Sequence, residues 1–308
     1  MATRYATIDV GTNTVKLTIA EKDAGGLAAV LDTSRPTRLG EGMHLGRLRE
    51  VAIRRTVDAM EEFITLCRIH HVQELSAVGT AALREATNRD DFLARAREKG
   101  VDVQVIPGEE EARLSYQAVR RDPLWRDLKN LLVIDIGGGS TEIIQGGARD
   151  ASPRHRISLK LGAVKLTEKA LYSDPPTIQQ MAQADELAGH VLEQLDLPDL
   201  SFAAVGVGGT FVNMASVKEG LEQRNPDHIH GSRLTISDVE AEVAMFAEKS
   251  VEQRKQIIGL DPARADIILG GAILLLHVMQ HARLESVTVS VRGLRWGVMY
   301  DRFGDRLS

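Results

Sequence analysis

Three short turns concentrate the residue types that handle phosphate: Asp9-Val-Gly-Thr-Asn-Thr, Asp135-Ile-Gly-Gly-Gly-Ser-Thr and Gly206-Val-Gly-Gly-Thr. Glycine lets the backbone approach a ligand closely, and successive amides in such a turn form a concavity that holds anions. Gly11, Gly137, Gly138, Gly139, Gly208 and Gly209 would supply that backbone, while the hydroxyls of Thr12, Thr14, Ser140, Thr141 and Thr210 and the Asn13 amide would add donors. One Gly-Gly-Gly alone is usually a tight hairpin. Three turns of one grammar, two of them at equivalent places in a repeat, point to phosphate binding. None continues into Gly-Lys-Ser/Thr, so none is a Walker A loop. The first leads into a strand rather than a helix, unlike the dinucleotide fingerprint.

Carboxylates flank these turns. Asp9 and Asp135 each end the strand that opens a turn. Two acids among phosphate donors repel each other and the substrate unless a cation lies between them. Magnesium suits, with manganese as the substitute, because it takes oxygen ligands and shares itself between carboxylates, water and phosphate. Glu142, just past the second turn, is a third candidate ligand. Glu109, Glu110 and Glu111 open a helix, where acids complement the helix dipole; spacing leaves open which of them faces a site.

The elements that must position these groups repeat. Tyr5–Thr14 echoes Leu132–Thr141, and each is followed by a second strand pattern (15–21 and 141–146) and a third (27–33 and 156–160). Ile53, Val57, Met60, Ile64 and Cys67 at helical spacing predict a helix over 50–70. Strand 75–80, helix 89–99, strand 101–106 and helix 109–121 complete the first half. Helix 177–195, strand 202–207, further helices to 282, strand 286–291 and a final helix from 293 complete the second. Each half reads β-β-β-α-β-α-β-α, which predicts a duplicated α/β fold with a cleft between domains 1–122 and 123–308. The joint falls near Asp122-Pro123, and the last helix is free to pack back on the first domain.

Composition sets the class. Of 308 residues 43% are hydrophobic and 26% charged, the balance of a soluble globular protein. The longest apolar run, 267–276, is about half what a bilayer needs, and no leader precedes the first strand, so no membrane association is expected. A single cysteine, Cys67, on the apolar face of its helix, fits a reducing cytoplasm. A net charge of −5 argues against a nucleic-acid surface but leaves room for a polyanion held by focused arginines. His277 and His281, four apart without an adjoining glutamate, do not make a zinc-protease pattern.

Over its whole length the chain resembles the exopolyphosphatase / guanosine pentaphosphate phosphohydrolase family. The segments that carry the resemblance include Ile8-Asp-Val-Gly-Thr-Asn-Thr, Gly79-Thr-Ala-Ala-Leu-Arg84, Gly108-Glu-Glu-Glu-Ala-Arg113, Ile134-Asp-Ile-Gly-Gly-Gly-Ser-Thr-Glu142, Leu161-Gly-Ala-Val-Lys-Leu-Thr, His230-Gly, Gly259-Leu-Asp-Pro-Ala-Arg-Ala-Asp266 and Arg292-Gly-Leu-Arg295. The resemblance implies the duplicated actin-like ATPase (ribonuclease H-like) fold and an active site in the interdomain cleft. It implies Glu111 as the base that activates water, Asp135 and Glu142 as magnesium ligands, and phosphate contacts at Asn13, Arg84, Gly137 and Ser140. Arg113 joins them by motif position. The implied substrates are inorganic polyphosphate or the guanosine pentaphosphate and tetraphosphate of the stringent response, and the implied assembly is a homodimer. A kinase of the same fold, or a sensor that binds these anions without turnover, are the alternatives. Val291 stands where relatives often carry Asp.

Overall fold

In the first repeat every residue of β1 (Arg4–Val10) after Arg4 is buried, Thr7 and Asp9 included, so this strand is covered on both faces. β2 (Val15–Asp23) and β3 (Gly26–Arg35) follow as an antiparallel meander. This is a computed structural model, and it describes residues 3–23, 26–43, 46–147, 150, 152–193, 195, 202–223 and 225–304. The next elements are α1 (Glu50–Ile69), β4 (Glu74–Gly79), the short α2 (Ala81–Glu85), α3 (Arg89–Glu98), β5 (Val103–Val105) and α4 (Gly108–Arg120). The sheet order is β3-β2-β1-β4-β5, with β4 and β5 parallel to β1. α1 buries Ile53, Val57, Met60, Phe63 and Cys67 in the core of this unit. Each large apolar side chain so removed from water contributes about 1.5–3 kcal/mol before entropy is counted.

The second repeat has β6 (Leu131–Ile136), β7 (Thr141–Gly146), β8 (His155–Leu159), α5 (Ala163–Ala170), α6 (Ile178–Leu192), β9 (Ala203–Val207), α7 (Gly209–Lys218) and α8 (Pro226–Ile229). Then come β10 (Arg233–Thr235), α9 (Ile236–Ala247), α10 (Val251–Arg254), a 3₁₀ turn at Pro262–Arg264, α11 (Ile268–His281), β11 (Ser286–Ser290) and α12 (Leu294–Phe303). Its sheet runs β8-β7-β6-β9-β11-β10, the same order as the first with one extra antiparallel edge strand. α11 packs on α5, α6 and α9, and its run Ile268–Leu275 is buried throughout. The apolar stretch is therefore a core helix, and no helix among the described residues is long and apolar enough to cross a membrane.

The chain divides into two compact units, Met1–Ala118 with Leu294–Ser308, and Val119–Gly293. α12, the helix that the sequence left free to pack on the first domain, follows the second repeat in the chain and packs within the first unit. The reason is its apolar face. Trp296, Met299 and Phe303 bury themselves with Tyr5, Ala20 and Ala118, and the rings of Tyr5 and Phe303 stack at 4.6 Å. Gly297 meets the α4 backbone so closely that a Cβ would lie 1.9 Å from the Leu114 carbonyl oxygen. Arg295 adds a bidentate ion pair to Asp32 of β3 (2.7 Å).

Candidate active site

In the first unit the β1–β2 ladder closes at Val10 opposite Val15, leaving Gly11–Thr14 as a four-residue hairpin turn. The Gly11 amide donates to the Thr14 carbonyl (3.2 Å), and a Cβ at Gly11 would press on that oxygen at 2.9 Å. One predicted donor is thus spent inside the turn. A second strip braces it: Arg38 N donates to Asn13 O (2.8 Å) and Gly40 N to Thr12 O (2.9 Å). Thr12, Asn13 and Thr14 are buried, and Asn13 Nδ2 donates to Thr14 Oγ1 (3.3 Å). Asp9, also buried, sits opposite Lys16 in the ladder and pairs with its ammonium at 3.4 Å. Its charge is met by that lysine.

The same unit brings Arg84 and Glu111 together. Arg84, at the end of α2, donates through Nη1 to the Ile106 carbonyl (3.2 Å) and to Glu111 Oε2 (2.5 Å). Glu111 is only 8% exposed, so this charge-assisted bond is a strong one. The three glutamates that spacing could not separate now part company. Glu110 holds Arg113 through two bonds of 2.7 Å, and Asp301 of α12 adds a third at 2.8 Å. Glu110 first, with Asp301, raises the affinity of Arg113 for its proton. Positions 111 and 113 lie about 200° apart around a helix. The structure therefore ties Arg113 to a three-way ion pair, away from the Glu111 face.

In the second unit β6 and β7 close on Gly137–Ser140 with the same turn, Gly137 N donating to Ser140 O (3.0 Å). The start of α5 supports it from below. Ala163 N donates to Gly137 O (2.9 Å) and Val164 N to Gly138 O (3.0 Å), while a Cβ at Gly162 would collide with both residues at 2.6 Å. This explains the Leu161-Gly-Ala-Val segment. Thr141 Oγ1 donates to the Leu161 carbonyl (2.7 Å), so that hydroxyl is committed to the fold. Ser140 and Thr210 are buried as well, Thr210 against Gly271, where a Cβ would come within 2.5 Å of its Oγ1.

Asp135 and Glu142 are direct cross-strand partners, so their side chains stand on one sheet face about 5 Å apart at Cβ. Glu142 is 1% exposed and accepts from Ser158 Oγ (2.7 Å). Two acids opposite each other destabilise a ladder unless a cation is shared. Among the described residues no cluster of three or more His, Cys, Asp or Glu side chains is grouped to hold a metal. A two-carboxylate, all-oxygen donor set beside a glycine turn is nonetheless a set that magnesium accepts, since magnesium keeps waters and takes further oxygens for the remaining positions.

The third turn abuts this pair. Gly208 caps α7 at φ +100°, a conformation that favours glycine, and a Cβ there would lie 3.1 Å from Asp135 Oδ1. The first turn of α7 then presents unpaired amides, a natural anion site. Arg264 lies on it, since a Cβ at Gly209 would fall 2.1 Å from the Arg264 Cζ. Arg264 was matched in the sequence only as part of the 259–266 segment. Its one local signal is Asp261-Pro262, which opens the 3₁₀ turn that carries it.

A profile of the Ppx/GppA phosphatase family matches residues 18–305. The chain belongs to this family. Exopolyphosphatase 2 of Mycobacterium tuberculosis is 33% identical, over 96% of this chain and 97% of that protein. Guanosine-5'-triphosphate,3'-diphosphate pyrophosphatase of Photobacterium profundum is 32% identical over 96% of this chain, which spans 59% of that longer protein. The crystal structure of the Aquifex aeolicus Ppx/GppA family member superposes with a TM-score of 0.83 at 33% identity, covering 99% of both chains. The duplicated actin-like fold that the resemblance implies is the fold of this Ppx/GppA chain.

Proposed function

We propose that this Ppx/GppA protein hydrolyses terminal phosphoanhydride bonds, releasing orthophosphate from inorganic polyphosphate and from guanosine pentaphosphate. The observation that carries the reading is the Arg84–Glu111 pair, a buried carboxylate held by an arginine. An arriving phosphate competes for Arg84, and Glu111 is then a carboxylate beside the bound anion, able to take a proton from water. The water oxygen bonds to the terminal phosphorus, its proton passes to Glu111, and the shortened chain leaves with the anhydride oxygen. Within the first unit the amides of 12–14 and Arg84 would bind phosphate oxygens, and within the second the amides of 138–140, the start of α7 and Arg264 would do the same. Asp135 and Glu142 would hold magnesium, which when bound neutralises charge on those oxygens. Asp9, paired with Lys16, serves the first turn through that ion pair.

A cytoplasmic homodimer acting in the stringent response completes the reading. The single cysteine and the absence of a spanning helix among the described residues support its location. The test is phosphate release from defined-length polyphosphates and guanosine pentaphosphate with magnesium, comparing wild type with Glu111→Gln. Loss of about 10²–10⁴-fold in kcat with binding retained is expected for removal of a general base. Unchanged release in the variant would dismiss Glu111 as the base.

A further inference from the structure

The segment between α10 and α11 lies along one face of α7 and touches it at three levels. Gly259, at φ +89°, approaches so closely that a Cβ would lie 2.2 Å from the Ser216 carbonyl oxygen. The Asp261 amide donates to Asn213 Oδ1 (2.8 Å). Arg264 rests on Gly209. Residues 209, 213 and 216 are spaced i, i+4, i+7, one stripe of a helix. The segment therefore runs antiparallel to α7 and ends at its first turn.

Asn213 joins two of these levels. It is 7% exposed, and its Nδ2 donates to the Gly209 carbonyl (2.8 Å) while its Oδ1 accepts from Asp261. Asp261 in turn accepts from Ala263 N (3.0 Å), which fixes the 3₁₀ turn leading to Arg264. The other side of that turn is held by buried Arg254, whose Nη1 donates to the Ala265 carbonyl (3.3 Å). Asparagine is a mediocre helix former, and helix propensity does not account for it here. Its amide does, because one planar group spans the glycine turn and the arginine-bearing loop.

We propose that Asn213 is a positioning residue that locks the Asp261–Arg264 turn onto Gly209 and so fixes the Arg264 guanidinium at the anion-binding start of α7. The inference rests on the proposed function only in taking that anion to be the phosphate chain of the substrate. Tripolyphosphate is the probe, with four proteins compared: wild type, Asn213→Ala, Arg264→Ala and the double variant. Turnover is followed by phosphate release, and binding by calorimetry in the Glu111→Gln background. Asn213→Ala should raise KM and Kd by about 3–10-fold, the range for one or two lost hydrogen bonds, with kcat within about twofold. In the Arg264→Ala background the same substitution should change neither.

A merely structural asparagine would weaken binding equally in both backgrounds, and that result overturns the proposal, as does an unchanged Kd in Asn213→Ala. If wild type binds tripolyphosphate without releasing phosphate, the hydrolase reading falls and the cycle in Kd still decides the role of Asn213. If wild type does not bind it, both fall. Should Asn213→Ala fail to fold by circular dichroism, Asn213→Ser, which is polar but too short to reach both partners, carries the same comparison.

Discussion

Replacing Glu242 with methionine should stabilise the second unit at neutral pH, and the gain should grow as pH rises. Glu242 lies on α9, 6% exposed, and neither carboxylate oxygen has a hydrogen-bond partner among the described residues. Burial first, and then Asp238 one turn earlier, push its pKa from the ordinary 4.5 up to about 8; Lys218 of α7, which is bound to Asp238 at 3.0 Å, pulls the other way. For an acid with a raised pKa the folded state binds a proton that the unfolded chain has released. Its stability is therefore complete below pH 4.5 and is lost as pH climbs through about 8. Each pH unit in that window costs at most ~1.4 kcal/mol. By pH 7 the loss approaches ~3 kcal/mol, and above pH 8 it levels near ~5 kcal/mol. Methionine has similar volume and nothing to ionise, so Glu242→Met escapes the whole of it.

The assay is urea unfolding between pH 5 and pH 9. Trp125 is buried in the second unit and Trp296 in the first, so a Trp296→Phe background reports the second unit alone through Trp125 fluorescence. The stability difference between Glu242→Met and its parent should widen by about 1 kcal/mol per pH unit from pH 5 to pH 8 and then flatten. A difference of the same size at pH 5 and pH 8 would show that the carboxyl is not held protonated, and the argument from burial would be refuted.

Arg113→Met should lower stability by about 1–2 kcal/mol, since it breaks a partly buried ion pair with Glu110 and Asp301. It should leave KM for polyphosphate within about twofold; a tenfold rise would return Arg113 to the phosphate site. Chelation with EDTA should abolish phosphate release, and Asp135→Asn should raise the magnesium concentration for half-maximal rate by about tenfold or more. Full activity in EDTA would remove the metal from the mechanism.

Much of this was legible because both repeats announce themselves in short patterns. The β6 run Leu-Leu-Val-Ile-Asp-Ile and its turn could hardly form anything but a buried strand ending at a glycine bend. Other features lie below what a pattern can carry. α2 has five residues, too few for a helical period, yet it places Arg84. β10 has three, and exists because β11 offers it an edge. Periodicity over 50–70 selected Ile64, but Phe63 is the fully buried residue, one position away on the same face. Which of Glu109, Glu110 and Glu111 meets Arg84 depends on partners as distant as Asp301, and no local window contains them. That α12 packs on the first unit was left open by the sequence, and what decides it is the apolar surface around Tyr5 and Ala20.

The two hairpin turns share one backbone closure and differ in the residue that faces the aspartate before each. Each closes with the amide of its first glycine donated to the carbonyl three residues on, and each carries an aspartate on the strand before it. Opposite that aspartate the first copy has Lys16 and the second has Glu142. A phosphate approaching the first turn meets a pair with no net charge and a set of amides. Approaching the second, it meets the Asp135–Glu142 pair, two carboxylates facing each other across the ladder. Under the proposed function, then, the requirement for metal resides in one register position. Exchanging it makes the point testable in thought: Glu142→Lys would give the second turn the first turn's pairing, relieving the need for magnesium there while removing a ligand for it. Under the proposed function, the difference at positions 16 and 142 would let the first turn hold phosphate directly and the second hold it through a cation.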